Sequence, residues 1–229
     1  MKVLAGTTYD FSKCNNFELA SLWDIKDRQK IQRHFDKMSA YARSIRTALA
    51  TKNFILFDRL RAEKFKIEQE FDDKLLKFAN DQRSLSFNDN GVNDFEPYQV
   101  TPKKNTVLLR GLSIMLSYFA FETNSTVQGY SIGTGTGPVY PFQESLEAEV
   151  DRIVITEGGK SATGNYLRYS TQFPDSLATQ TYSEFGLEMF MNAPPALART
   201  VIDETSKRLH HEQGNTFIIG THYLVFLPQ

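Results

Sequence analysis

From Ser21 to Asn80 the chain runs sixty residues without a glycine or a proline. Lys, Arg, Asp, Glu, Leu, Phe and Ala fill most of the stretch, and all are compatible with helix. Ser21 is placed to cap the start, with Asp24 in the first turn. The apolar residues Phe35, Met38, Ala42, Ile45 and Leu49 recur at steps of three and four. Phe57, Leu60, Ile67, Phe71, Leu75 and Phe78 do much the same, which gives each segment one apolar stripe at helical period. Glu70 and Lys74 stand in the favourable i, i+4 order. The stripes lose register around Thr51, Lys52 and Asn53, where Asn can stop a helix. A helical hairpin is the expected form. The alternative is one helix of about 58 residues, about 87 Å long at a rise of 1.5 Å per residue, which would need partner chains. Either form has a seam to bury: Phe35, Met38, Ile45, Leu49, Phe57, Leu60, Ile67, Phe71 and Phe78. It closes within the chain or between chains.

Residues 81–104 are dense in Asn, Asp, Gly and Pro and show no period. They divide the chain into a helical region, 1–83, a linker, 84–104, and a second region, 105–229. After Asn105 the texture changes to short runs rich in β-branched and aromatic residues: TVLLRGLSIMLSYFAFET, VQGYSI, VDRIVIT, NYLRYSTQF, TYSEFGLEMF, ALARTVI and TFIIGTHYLVFL. The fold class is therefore α+β: an N-terminal helical hairpin or long helix, followed by an antiparallel β-sandwich.

The balance of 41% apolar and 23% charged residues is that of an ordinary globular chain. No stretch approaches the ~18 consecutive apolar residues of a membrane span. The opening MKVLAGTTYDF is too short in its apolar part for a signal peptide. A soluble protein made in the cytoplasm is expected, with no membrane partner. Cys14, the single cysteine, excludes an intramolecular disulfide and any zinc or iron–sulfur site built on several cysteines. Residues 1–83 hold 17 Lys/Arg against 12 Asp/Glu, and residues 84–229 hold 9 against 15. Opposite signs in the two halves suit solvated helix faces or a head-to-tail contact between copies; nucleic acid is not an expected partner.

The motifs that look chemical do not hold up. Gly133-Thr-Gly135-Thr-Gly137 lacks the dinucleotide spacing, and Pro138 and Pro141 stand where a helix would offer its amides. It reads as a turn in which glycine permits positive φ. Gly158-Gly159-Lys160-Ser161 mimics the end of a phosphate-binding loop, but Val154 occupies the position of its first glycine. It reads as a hairpin turn with Lys160 at the tip. Glu147, Glu149 and Asp151 would line one face of a strand, where they could hold calcium or act as a hydrolase's carboxylates. Solvated charge is the simpler reading. His34, His210, His211 and His222 show no metal spacing. No catalytic residue, metal site, cofactor or small-molecule substrate is expected.

The order of the later signals carries more than any one of them. Gly133 to Pro138 is followed by Leu146-x-x-Glu149-Val150-x-Arg152, then a strand, a Gly/Thr turn and a strand ending Gln172-Phe173-Pro174. Then come Tyr182-Ser183-Glu184-Phe185-Gly186-Leu187, Leu197-Ala198-Arg199 and a closing aromatic strand from Phe217. Over residues 105–229 this order resembles a recurrent β-domain in structural proteins of tailed bacteriophages and related viruses. It departs at Glu188, where an apolar residue usually stands. The resemblance implies a non-enzymatic virion protein, made in the host cytoplasm, in a ring, collar, head–tail adaptor or fibre base. Its partners would be copies of itself and other virion proteins of portal, neck, tail, fibre or capsid. The residues given structural roles are Leu146, Arg152, Glu184, Gly186 and Leu187, with a register-fixing pair between Glu184 and Arg152. Two alternatives stand beside it. One is a glycan- or receptor-binding sandwich using Tyr130, Tyr140 and Tyr166; the other is the carboxylate hydrolase.

Overall fold

The computed structural model describes residues 16–81, 97–119, 127–163 and 166–225. Cys14, most of the expected linker and the end of the first apolar run lie outside them. The architecture is α+β. Helix α1 (Arg28–Ala50) and helix α2 (Phe54–Asp81) form a hairpin. Lys52 turns the chain with φ 55°. Asn53 caps α2, its Oδ1 accepting from the Leu56 amide at 3.1 Å. The Asn that was expected to end one helix therefore begins the next.

The strands make two five-stranded antiparallel sheets. The first runs β2 (Gln99–Lys104), β1 (Asn16–Asp24), β12 (Thr216–Val225), β7 (Tyr166–Gln172) and β6 (Lys160–Thr163). The second runs β3 (Thr106–Val107), β10 (Ala196–Val201), β9 (Glu184–Glu188), β4 (Gly129–Gly133) and β5 (Glu149–Val154). A small pair joins β8 (Gln180–Tyr182) to β11 (Leu209–His211).

Strand β1 has a continuous buried core, Phe17 to Trp23, because both faces of the first sheet are covered. Phe17, Leu19 and Trp23 join Phe217, Ile219 and Tyr223 of β12 under the helices, against Ile31, Phe35, Phe71 and Leu75. Ala20 and Leu22 take the opposite face, with Ile218 and Leu224, in one apolar cluster with Tyr130, Ile132, Phe185, Leu187 and Leu197 of the second sheet. Gly220 lets the sheets approach: a Cβ there would stand 2.6 Å from the Tyr130 ring. The layers run helices, first sheet, second sheet.

This order corrects several expectations. Ser21 is no helix cap; it lies inside β1, where its Oγ accepts from the Trp23 indole at 2.8 Å. The helical start is capped by Asp24, which accepts from the Lys26 amide at 2.9 Å. The expected boundary at 83/84 lies outside the described residues, and described strands from both expected regions share one sheet. β1 lies between β12 and β2, and β2 falls within the expected linker. A strand buried on both faces has no alternation to reveal it. The run from Thr106 also differs: after the short β3 it forms helix α3 (Leu109–Phe119). Leu108, just before α3, and the helix's residues Gly111 and Met115 are buried and Leu112 partly so, which is helical spacing. Gly158 and Gly159 make no hairpin between β5 and β7. They carry the chain from the second sheet to the first, pressed against Ser39 and Ser170. Lys160 is drawn inward, donating to the Val127 carbonyl at 2.7 Å.

The seam is divided. Phe35, Met38 and Phe71 are buried; Ile45, Phe57, Leu60, Ile67 and Phe78 are partly so; Leu49 is 50% exposed. The half of the hairpin near α1's start packs on the first sheet, and the other half extends past its edge strand β6, where the Arg61 guanidinium holds the Ala162 carbonyl at 2.7 Å.

Candidate functional site

On β9, Phe185 and Leu187 point into the core between the sheets, so Glu184, Gly186 and Glu188 point outward. All three are nonetheless buried. The segment 134–148 leaves β4, folds back and covers Glu184 and Gly186, while Ser131 and Arg152 meet Glu188. The Glu184 carboxylate accepts from the backbone amides of Gly135 at 3.2 Å, Glu147 at 2.6 Å and Ala148 at 3.0 Å, and from Arg199 Nε. The glycine-rich loop does cradle an anion, but the anion is the chain's own. Its glycines have no positive φ; of the described glycines only Gly214 does. They are needed for close approach. A Cβ on Gly135 would strike the Glu184 carboxylate, and one on Gly137 would stand 2.6 Å from Glu147 Oε2.

The register explains the rest. Across the second sheet, Arg199, Gly186, Ser131 and Arg152 stand in one row. Leu146 seats over Gly186, where a Cβ would collide with its Cδ1. An arginine flanks this plug on each side, and each takes a different glutamate. Arg199 takes Glu184, and also donates to Gln143 Oε1 at 2.8 Å and the Pro138 carbonyl at 3.3 Å. Arg152 takes Glu149 in a bidentate pair at 2.8 and 2.6 Å, then the Phe190 carbonyl at 2.9 Å and Glu188 at 3.5 Å. The expected Glu184–Arg152 pair is therefore not formed; Arg199 holds Glu184. Glu149 beside Arg152 raises the guanidinium's pKa. Burial raises the Glu188 carboxyl to about 7, against a hydrogen bond from Ser131 at 2.5 Å. Leu187 is fully buried in the core.

Two further buried polar groups lie elsewhere. Lys64, Glu68 and Asp72 form an i, i+4, i+8 row on α2 facing the first sheet. Arg168 of β7 grips Asp72 at 2.6 and 2.9 Å, with Glu68 at 3.4 Å. Tyr223 donates to Asp72, and Lys64 donates to Glu68 at 2.7 Å. Burial lowers the Lys64 pKa. Between the sheets, Glu18 receives the Tyr130 hydroxyl, and His222 Nδ1 lies 2.9 Å from that hydroxyl. The charged row on α2 was visible in the sequence as acids and a lysine interleaved with Phe65, Phe71 and Leu75. Glu18 and His222 had no such signal, because their pairing is set only by the β1–β12 register.

The other candidate residues stand apart. Glu147, Glu149 and Asp151 are engaged separately, by the Gly137 amide at 2.7 Å, by Arg152, and by the Arg152 amide at 2.8 Å. Among the described residues no group of three or more His, Cys, Asp or Glu is placed to hold a metal ion. Tyr130 is fully buried, Tyr166 packs under the helices, and Tyr140 is 46% exposed. Of the histidines, His34 stacks on Phe71 at 4.4 Å, and His211 is buried, its Nδ1 2.9 Å from Thr216 Oγ1. The Glu18–Tyr130–His222 group is fully buried, each residue at 0% exposure.

What lies open is surface. Every residue from Leu49 to Ile55 is exposed at the hairpin tip, including Phe54 at 59% and Ile55 at 87%. Over the second sheet, Phe142 is 75% exposed and stacks on Tyr140 at 5.5 Å. Leu109, 60% exposed, adjoins them through its amide, which donates to the Pro141 carbonyl at 2.7 Å. Comparisons with family models, curated proteins and solved structures found no match to this chain.

Proposed function

We propose that the chain is a structural protein of a tailed-virus particle, packing into a ring, collar, head–tail adaptor or fibre-attachment assembly. The reading is supported above all by the convergence of the ordered signals. Gly135, Leu146, Glu149, Arg152, Glu184, Gly186 and Arg199 come from separate stretches of sequence, yet they meet on one face of a sheet, where the buried Arg199–Glu184 pair, Leu146 over Gly186 and the partly buried Arg152–Glu149 pair lock a long loop down. A clamp with its charges matched internally is an architectural device. The large apolar side chains left exposed at two separate places supply what an assembly needs. The test is quantitative mass spectrometry of purified particles from the source culture. Fixed stoichiometry is expected: a few to about a dozen copies for neck, tail or fibre, hundreds for a capsid-surface protein. Absence from particles overturns the reading.

A second reading is favoured by one observation. Tyr98, 59% exposed, borders a cleft of about 520 Å³ with Asp24, His210, Glu212 and Asn215. An exposed ring beside carboxylates and an amide suits a sugar, so this cleft takes over from Tyr130 as the candidate for glycan or receptor binding. Glycan-array signal lost in Tyr98→Ala would support it; an array without hits would remove it.

A further inference from the structure

We infer that the chain assembles head to tail, the hairpin tip of one copy docking on the loop face of the next. The inference deepens the assembly reading and rests on it for its biological setting. The tip presents Leu49, Phe54 and Ile55 around Lys52. Residues 43–61 carry five Lys/Arg and one Asp; Glu157 pairs with Arg46 and Glu63 with Arg59, which leaves a net of +2. The loop face presents the stacked Tyr140–Phe142 pair beside a cleft of about 370 Å³ whose lining includes Glu144 and Glu147, each 51% exposed. Residues 137–151 carry four acids and no Lys or Arg; Arg110 reaches Glu144 at 3.3 Å, Arg152 takes Glu149, and Arg199, shared with Glu184, reaches Glu147 at 3.4 Å, so these five acids against three arginines leave a net of −2. Each surface thus pairs exposed apolar side chains with a charge opposite to the other's. Large apolar groups on both sides give burial, and the charges give orientation and encounter rate.

The two surfaces cannot meet within one chain. The hairpin covers the outer face of the first sheet and the loop covers the outer face of the second, with both sheets between them. A contact of tip on loop joins different patches of two copies. It is therefore heterologous and builds a ring or an open filament rather than a closed two-fold dimer.

Sedimentation of the full chain over a concentration series tests this. Wild type is expected to form species larger than a dimer, weakened by salt. Ile55→Asp and Phe142→Asp each alter an exposed residue, and each is expected to be monomeric with an unchanged circular-dichroism melt. Mixed, they retain one intact tip and one intact loop face between them, and are expected to form a one-to-one dimer and nothing larger. Lys52→Glu and Glu144→Lys are each expected to weaken association at least tenfold, and mixing the two should restore it. A monomeric wild type, persistent oligomers in either apolar variant, or no dimer on mixing would overturn the inference. So would a tip that binds anionic vesicles or nucleic acid while the chain stays monomeric. Particle composition is measured separately. Stoichiometric presence with a monomeric chain sinks only this inference, and self-association with absence from particles sinks only the virion reading.

Discussion

At the scale of single residues, the molecule is organised by buried charges that face one another. Glu184 is fully buried and meets Arg199 and three backbone amides. Glu184→Ala strands the guanidinium and those donors, and should cost roughly 3–5 kcal/mol in urea denaturation; a loss under about 1 kcal/mol would show the clamp to be incidental. Glu188 carries a pH signature. Its carboxyl releases a proton near 4.5 in the unfolded chain but near 7 when folded, because burial opposes the charge. Between those values the folded state binds more protons, so this group's contribution makes stability fall as pH rises from about 4.5 to about 7, then level off. Glu188→Gln should remove that fall and be more stable than wild type at pH 8 by up to about 3 kcal/mol. Parallel pH–stability curves for the two proteins would refute the assignment. His34 acts with the opposite sign. Burial first, then the cations Arg168, Lys37 and Lys64, lower its pKa to about 3. Its contribution is present above about 6.5 and is lost as pH falls below it.

At the scale of elements, the hairpin and the first sheet depend on each other. Trp23, the single tryptophan, lies between Phe71 at 6.2 Å and Phe217 at 6.5 Å, both near parallel to it. Its fluorescence should therefore be blue-shifted in the native chain and report directly on the seating of α2. Phe71→Asp places a carboxylate in that stack and should abolish cooperative folding, read as a red-shifted native spectrum. Arg168→Met tests the polar part of the same contact. It leaves Asp72 buried without its cation and Glu68 with Lys64 alone, and should cost roughly 3–5 kcal/mol. Asp72→Asn in the same background should recover part of that loss, which separates stranded charge from lost packing.

At the scale of the whole molecule, the fold is one structure threaded from both ends. β1, near the start of the chain, pairs along its length with β12, near its end. A fragment of residues 105–229 would lack β1, β2 and the helices that cover the first sheet. It should show no cooperative melt and little dispersion in an amide correlation spectrum. A folded fragment would restore the division into two independent regions. The same threading keeps the hairpin tip and the loop face on opposite sides, which is the geometry head-to-tail assembly requires.

Local physics made part of this legible in the sequence. The stripes from Phe35 and Phe57 onward specify two helices, because 3.6-residue periodicity is a property of neighbours in sequence. Most of the strands and the α+β class follow from short β-branched runs between turn residues. The ordered motifs also marked the loop, Leu146, Glu184 and Gly186 as structural. The partners lay beyond that reach. Which glutamate Arg152 takes depends on a row of residues across four strands and a leucine seated over a glycine. β1 looked like the start of a helix because a strand buried on both faces shows no alternation, and α3 looked like a strand because a short apolar run fits either period. The chain's own sequence determined which segments repeat as helix or strand. The tertiary structure alone decided which charges share a low-dielectric interior and which apolar residues stay outside, since burial is a property of neighbours in space rather than along the chain.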